Sequence, residues 1–145
     1  IMRARNAIRN YSQFDTQSKV EQERPEILIA LLYDKACTLL RQASNALDVD
    51  NIELFHEATT HATQIVLALR GILDIEHGGE TALQLSETYG AIAGALFKTK
   101  RTKSKVELGK LYEALSELRA AWHEIAAREP ADRSDAFDDN RTRSV

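Results

Sequence analysis

Cysteine, proline and long apolar runs are scarce in this sequence of 145 residues. The single cysteine, Cys37, excludes a disulfide within the chain and a cysteine-based metal site, and it favours a reducing compartment. The longest apolar run has about seven residues, whereas a membrane-spanning helix needs roughly 20. No apolar segment follows the basic N-terminal residues, so we expect neither a signal peptide nor membrane insertion. The net charge of −3 is mild and argues against a general nucleic-acid-binding protein.

The two prolines, Pro25 and Pro130, enclose a stretch in which helix-forming residues dominate. Polar or glycine-containing breaks divide this stretch into four helical segments at about 25–47, 52–75, 80–97 and 104–128. Pro25 suits a first helical position, because its φ is preset and its missing N–H costs no helical bond. We expect His77-Gly78-Gly79 to end the second helix. We expect the run KTKRTKSK, at 98–105, to be a solvated basic linker.

Four helices of about 18–25 residues with short connections predict an all-α fold, an antiparallel up-down four-helix bundle. We assign residues 25–129 to this bundle and residues 1–24 to an N-terminal arm or short helix. Residues 130–145 are polar and of mixed charge, which predicts a disordered C-terminal tail.

The first helix carries more apolar side chains than one core face needs. At about 100° per residue, Ile27 and Leu31 fall on roughly the opposite side from the core stripe. One interpretation is that the N-terminal arm folds back over them, with Phe14 or Val20 as the covering residue. The other is that another chain docks there. The two are compatible if the arm can be displaced.

The third helix has a line of small residues beside its core face. Tyr89 belongs to the core face, and Ser86, Gly90 and Gly94 lie next to it, with Phe97 near the end. Each glycine inside an exposed helix costs about 1 kcal/mol relative to alanine. The resulting trough lets a backbone approach closely. The approaching element is either a neighbouring helix of the bundle or a guest helix.

The histidines and carboxylates do not form a recognisable catalytic or metal-binding pattern. His56 and His61 are about 140° apart on a helix, so they cannot share a metal ion, and a solvated face is the simplest interpretation of both. Glu53 and His56 match half of a di-iron motif, but no second copy exists. The residues after His61 are not typical of a phosphotransfer histidine. We therefore expect no enzyme, no metal and no cofactor.

Several segments of the sequence match the pattern of one known family in order and spacing. PEILIALLYDKA, at 25–36, is similar to the start of its first bundle helix, and LDIEHGGE, at 73–80, to the loop before its third. LRAAW, at 118–122, is similar to the end of its fourth helix. Tyr11 and Val20 occupy an arm where the family also has a tyrosine and a valine. The sequence thus resembles the FliS family, the export chaperones for flagellin.

The sequence departs from that family's pattern at three places. Glu23-Arg24 stands where Ala-Ser is common, Thr88–Ile92 where the third helix usually has Leu-Tyr-x-Tyr-Met, and Thr99-Lys100 where Ala-Asn follows. These positions lie near the surface that holds the client in the family.

The resemblance implies a cytoplasmic chaperone without catalytic activity. Such proteins bind the disordered C-terminal segment of flagellin, prevent premature polymerisation and present the client to the export gate. The arm, with candidate residues Tyr11, Phe14 and Val20, can cover the groove when no client is bound. We expect the client groove to comprise Ile27, Leu31, Tyr89, Gly90, Gly94 and Phe97.

Two alternatives remain open at this point. One is a phosphotransfer bundle that uses His56 or His61. The other is a small regulatory bundle that forms a homodimer through the same groove. We expect a monomer or a weak homodimer in the chaperone interpretation.

Overall fold

The computed structural model describes residues 24–128 and folds them into four helices, which confirms the predicted all-α four-helix fold. The helices are α1 (Pro25–Asp48), α2 (Ile52–Ile72), α3 (Ile75–Thr102) and α4 (Lys105–Ala127). The predicted arm residues Tyr11, Phe14 and Val20 and the predicted tail lie outside the described residues. Among residues 24–128, no helix combines the length and apolar character that a membrane crossing requires.

A side chain caps the start of α2, α3 and α4, whereas α1 begins with a proline and has no side-chain cap. Pro25 occupies the first turn of α1. Asn51 accepts a hydrogen bond from Leu54 N, and Asp74 and Ser104 accept equivalent bonds at the starts of α3 and α4. Only two or three residues connect one helix to the next, so successive helices run antiparallel.

The prediction for the boundary between the second and third helices is wrong. Helix α2 ends at Ile72, and the Asp74 carboxylate caps a new turn by accepting from His77 N at 3.2 Å. The predicted stop at the glycine pair is instead a kink inside α3, where Gly79 has a φ of +59°. A glycine that ends a helix and one that bends it look alike in sequence, because both use a positive φ that glycine adopts readily.

The prediction that residues 98–105 form a basic linker is also wrong, because α3 continues through the first five of them and ends at Thr102. Thr99 is buried, and its hydroxyl donates to the Ala95 carbonyl at 2.7 Å. Lys100 and Arg101 lie in the last turn of α3, where cations complement the helix dipole. The chain then turns at Lys103, which has a φ of 55°.

The core lies between all four helices. The hydroxyl groups of Tyr33 on α1 and Tyr89 on α3 share a hydrogen bond across it, and their ring centroids are 6.4 Å apart. Burial raises the pKa of both phenols. Apolar stripes on the four helices supply the remaining buried side chains, including Leu32, Leu39, Leu40, Phe55, Ile65, Leu69, Ile92, Leu96, Leu108 and Leu115.

Polar contacts hold α1 against α4 along their whole length. Near the start of α1, Asp34 accepts hydrogen bonds from Arg119 Nε and His123 Nε2, each at 2.6 Å. Further along, the Arg41 guanidinium donates to the Tyr112 hydroxyl at 2.6 Å and lies over its ring. These contacts fix one side of the bundle, whereas α3 and α4 touch over a much smaller area.

Candidate functional site

An open pocket of about 470 Å³ lies at the end of the bundle where α1 and α3 begin and α2 and α4 end. Most of its lining is apolar and comes from all four helices and from the α2–α3 connection. The lining residues are Ile29, Leu69, Ile72, Leu73, Asp74, His77, Gly78, Thr81, Ala82, Leu85, Tyr89 and Trp122.

The pocket is open because the α3–α4 side of the bundle is incompletely packed. Helix α1 packs extensively on α2 and α4, and α2 packs on α3, but α3 and α4 meet over a small area. Leu85 and Trp122 are therefore only partly buried, although both belong to the apolar stripes of their helices. Tyr89, one of the predicted groove residues, is almost fully buried and lines this pocket.

The rim of the pocket carries one compact polar group. His77 Nδ1 lies 2.7 Å from Asp74 Oδ2, and His77 N donates to Asp74 Oδ1. The hydrogen bonds from His77 lower the pKa of the Asp74 carboxyl below its ordinary value. The Asp74 carboxylate on the rim is thus ionised at neutral pH, while the interior offers apolar side chains.

The predicted trough on α3 lies along the seam between α2 and α3. Arg70 of α2 reaches across this seam, and its Nε donates to Ser86 Oγ at 3.1 Å. A Cβ at Gly90 would meet the Arg70 guanidinium at 3.4 Å, whereas one at Gly94 would have no neighbour within 4 Å. A neighbouring side chain thus covers part of the trough, and its Gly94 end is open. The Phe97 side chain beside that end is 70% exposed.

The two predicted residues on α1 lie on another side of the molecule. Leu31 is 44% exposed and Ile27 is partly buried. Leu31 points about 160° away from Tyr33 on the helical wheel, and Tyr33 faces α3 through its contact with Tyr89. A single straight segment therefore cannot contact Leu31 and the trough together, and a bound chain would have to wrap around the bundle to reach both.

The sequence analysis did not predict the pocket that Trp122 and Leu85 line. A pocket wall and a core face have the same apolar spacing, so no local signal separates them. The lone tryptophan near the end of α4 is the one feature that could have suggested a surface, because tryptophan is rarely buried completely.

The histidines singled out by sequence are not strongly exposed. His56 is partly buried and packs edge-on against Phe55, with ring centroids 5.4 Å apart. His61 is also partly buried, so each of the two side chains keeps part of its surface in contact with solvent. Within residues 24–128, no group of three or more His, Cys, Asp or Glu side chains is arranged to hold a metal ion.

A family model and three known proteins that are similar to this chain all belong to one family. The family model for flagellar protein FliS matches residues 7–129. The flagellar secretion chaperone FliS of Salmonella typhimurium is 29% identical over 85% of this chain and 92% of its own length. The chaperone FliS of Vibrio cholerae is 24% identical over 83% and 89% of the two chains. FliSB of Pseudomonas aeruginosa, also a flagellar secretion chaperone, is 28% identical over 86% and 99%. The chain therefore belongs to the FliS family and is a flagellar export chaperone.

Proposed function

We propose that this chaperone binds the disordered C-terminal segment of flagellin in the cytoplasm and prevents its polymerisation before export. The observation that carries the proposal is the open apolar pocket at the end of the bundle where α1 and α3 begin. Apolar walls of this kind favour the binding of apolar side chains from another segment.

The interaction energy suits a reversible carrier. Each apolar anchor that becomes fully buried contributes about 1.5–3 kcal/mol, so four or five anchors supply roughly 6–15 kcal/mol before costs. Ordering a disordered segment costs about 2–5 kcal/mol or more, and association costs more again. The net affinity then lies between micromolar and tens of nanomolar, which permits release at the export apparatus.

The mechanism requires no catalysis and no cofactor. The chaperone covers the apolar face through which flagellin subunits would associate, and it presents the client to the export gate. Because the pocket, the trough and Leu31 lie on different sides, the client wraps around the bundle in several anchored pieces. The unbound chaperone is a monomer or a weak homodimer, which light scattering without client distinguishes.

Calorimetry with the flagellin of the same organism tests the proposal. Intact flagellin should bind, and flagellin lacking its last helical segment should give no heat of binding. Equal heats from both proteins, or none from either, would refute the proposal.

The single tryptophan provides a second measurement that needs no label. Trp122 lines the pocket, so its emission should shift to the blue when a C-terminal flagellin peptide excludes water from it. A scrambled peptide of the same composition is the control. An unchanged emission together with tight binding would show that the client binds outside the pocket.

A further inference from the structure

Arg70 in the last turn of α2 has an unusual environment for an exposed arginine. Its Nε donates to Ser86 Oγ at 3.1 Å, and Ser86 is itself buried on α3. A Cβ at Gly90 would lie 3.4 Å from its Cζ and 3.5 and 3.6 Å from its two terminal nitrogens. These nearly equal distances mean that position 90 lies under the face of the guanidinium. The hydrogen bond to Ser86 thus holds the guanidinium across the α2–α3 seam, directly over Gly90.

The oriented guanidinium has no carboxylate partner in the described part of the chain. The ion pairs found between residues 24 and 128 all involve other cations. Arg119, in contrast, donates to Asp34. A guanidinium offers five N–H donors, and only the Nε–H of Arg70 is engaged by a residue of this part. No residue between 24 and 128 accepts a hydrogen bond from its terminal nitrogens.

Two exposed leucines lie one helical turn from the Arg70–Ser86 contact. Leu67 lies three residues before Arg70 on α2 and is 48% exposed, and Leu83 lies three residues before Ser86 on α3 and is 45% exposed. A guest helix that buries these leucines also removes water from the guanidinium. Burying a charge without a counter-charge is costly, whereas a buried bidentate pair with a carboxylate compensates for that cost. The surface therefore favours a guest that carries an acidic side chain beside its apolar face.

We propose that Arg70, oriented by Ser86, binds a carboxylate of the client at the α2–α3 seam and so fixes the register of a bound amphipathic helix. This inference rests on the proposed function, because the occupant is the C-terminal segment of flagellin. Apolar contacts tolerate a shift of the guest along the trough, but a bidentate pair to one carboxylate does not. Arg70 is thus a specificity determinant, and the apolar pocket supplies the bulk of the affinity.

Calorimetry with a synthetic peptide of the flagellin C-terminal segment tests the inference. We expect Arg70→Gln to weaken binding by about tenfold or more, because it removes a charge-assisted hydrogen bond. Arg70→Lys keeps the charge without the bidentate geometry, so its affinity for the peptide should lie between those of wild type and Arg70→Gln. Ser86→Ala should cause a smaller loss by releasing the guanidinium. The control Lys110→Gln removes an exposed cation of α4 and should change the affinity by less than about twofold.

A second set of peptides identifies the partner. Each Asp or Glu of the peptide is changed to its amide, and one change should weaken binding as much as Arg70→Gln does. That change should add nothing further when combined with Arg70→Gln, which is the signature of a direct pair. Circular dichroism of each variant verifies that the bundle is intact.

The outcomes that overturn the inference are distinct from failure of the proposed function. If wild type and Arg70→Gln bind the peptide equally, the inference fails and the proposed function stands. The inference also fails if no peptide carboxylate couples to Arg70, or if Arg70→Gln binds more tightly. Tighter binding would mean that a carboxylate of this chain, in the arm or tail, occupies the site. If wild type binds no peptide, both proposals fail together.

Discussion

Leu31 and Leu32 are neighbours on α1 with opposite environments, and they give a matched pair of substitutions. Leu31 is 44% exposed, whereas Leu32 is 8% exposed and belongs to the core. We expect Leu31→Ala to weaken flagellin binding with almost no loss of folding stability. We expect Leu32→Ala to lower the free energy of unfolding instead.

The magnitudes follow from the exposed fractions. Full burial of a leucine side chain is worth about 1.5–3 kcal/mol. With 44% of Leu31 still exposed, a client that covers it gains about 0.7–1.3 kcal/mol. Removing the side chain should therefore raise the dissociation constant about three- to ninefold. Leu31→Asp should raise it further, because a carboxylate would be desolvated. Leu32→Ala creates a core cavity and should cost about 2–5 kcal/mol of stability.

Urea denaturation followed by circular dichroism gives the stability, and calorimetry with flagellin gives the affinity. Leu31→Ala should stay within about 0.5 kcal/mol of wild type in the first experiment. An equal stability loss from both substitutions would refute the assignment of Leu31 to the outer face. Wild-type affinity of Leu31→Ala would show that the client does not reach this side of the bundle.

Two further predictions concern the polar contacts of the fold. Asp34→Ala removes the acceptor for Arg119 and His123 in half-exposed surroundings, and it should cost about 1–2 kcal/mol in urea denaturation. Asp34→Asn should cost less, and an equal loss would contradict a role for the hydrogen bonds. The pKa of Asp74 should lie below its ordinary 3.8 in an NMR titration and rise toward it in His77→Ala. The ionised Asp74 carboxylate then stabilises the fold fully above pH 3.8, and this stabilisation is lost as the pH falls through the lower pKa of the folded state. An unchanged Asp74 pKa in His77→Ala would refute the hydrogen bond with His77 as the cause.

Local sequence patterns were sufficient for the number and type of helices. The spacing of apolar residues predicts the four helices, and Pro25 predicts the start of the first one. The pattern also separated Leu31 from the core face of α1, and its exposure agrees. Whether Leu31, Gly94 and Phe97 contact a client stays a prediction, as does the role of the arm.

Local patterns failed where two conformations share one signal. The pair Gly78-Gly79 is compatible with a helix end and with a kink, and the choice depended on Asp74 capping a turn that packs against the pocket. The basic run after Phe97 was predicted to be a linker because it is charged. Burial of Thr99 against the bundle keeps that stretch helical, which a charge count does not reveal.

The sequence by itself determined four amphipathic helices and their order, because these depend on residues a few positions apart. The tertiary structure decided where the bundle stays open. Whether α3 closes on α4 depends on long-range packing, and α4 is held to α1 by Asp34 and Arg41 rather than drawn toward α3. The same apolar stripe that would complete a core therefore lines a pocket, and Trp122 lies at its wall.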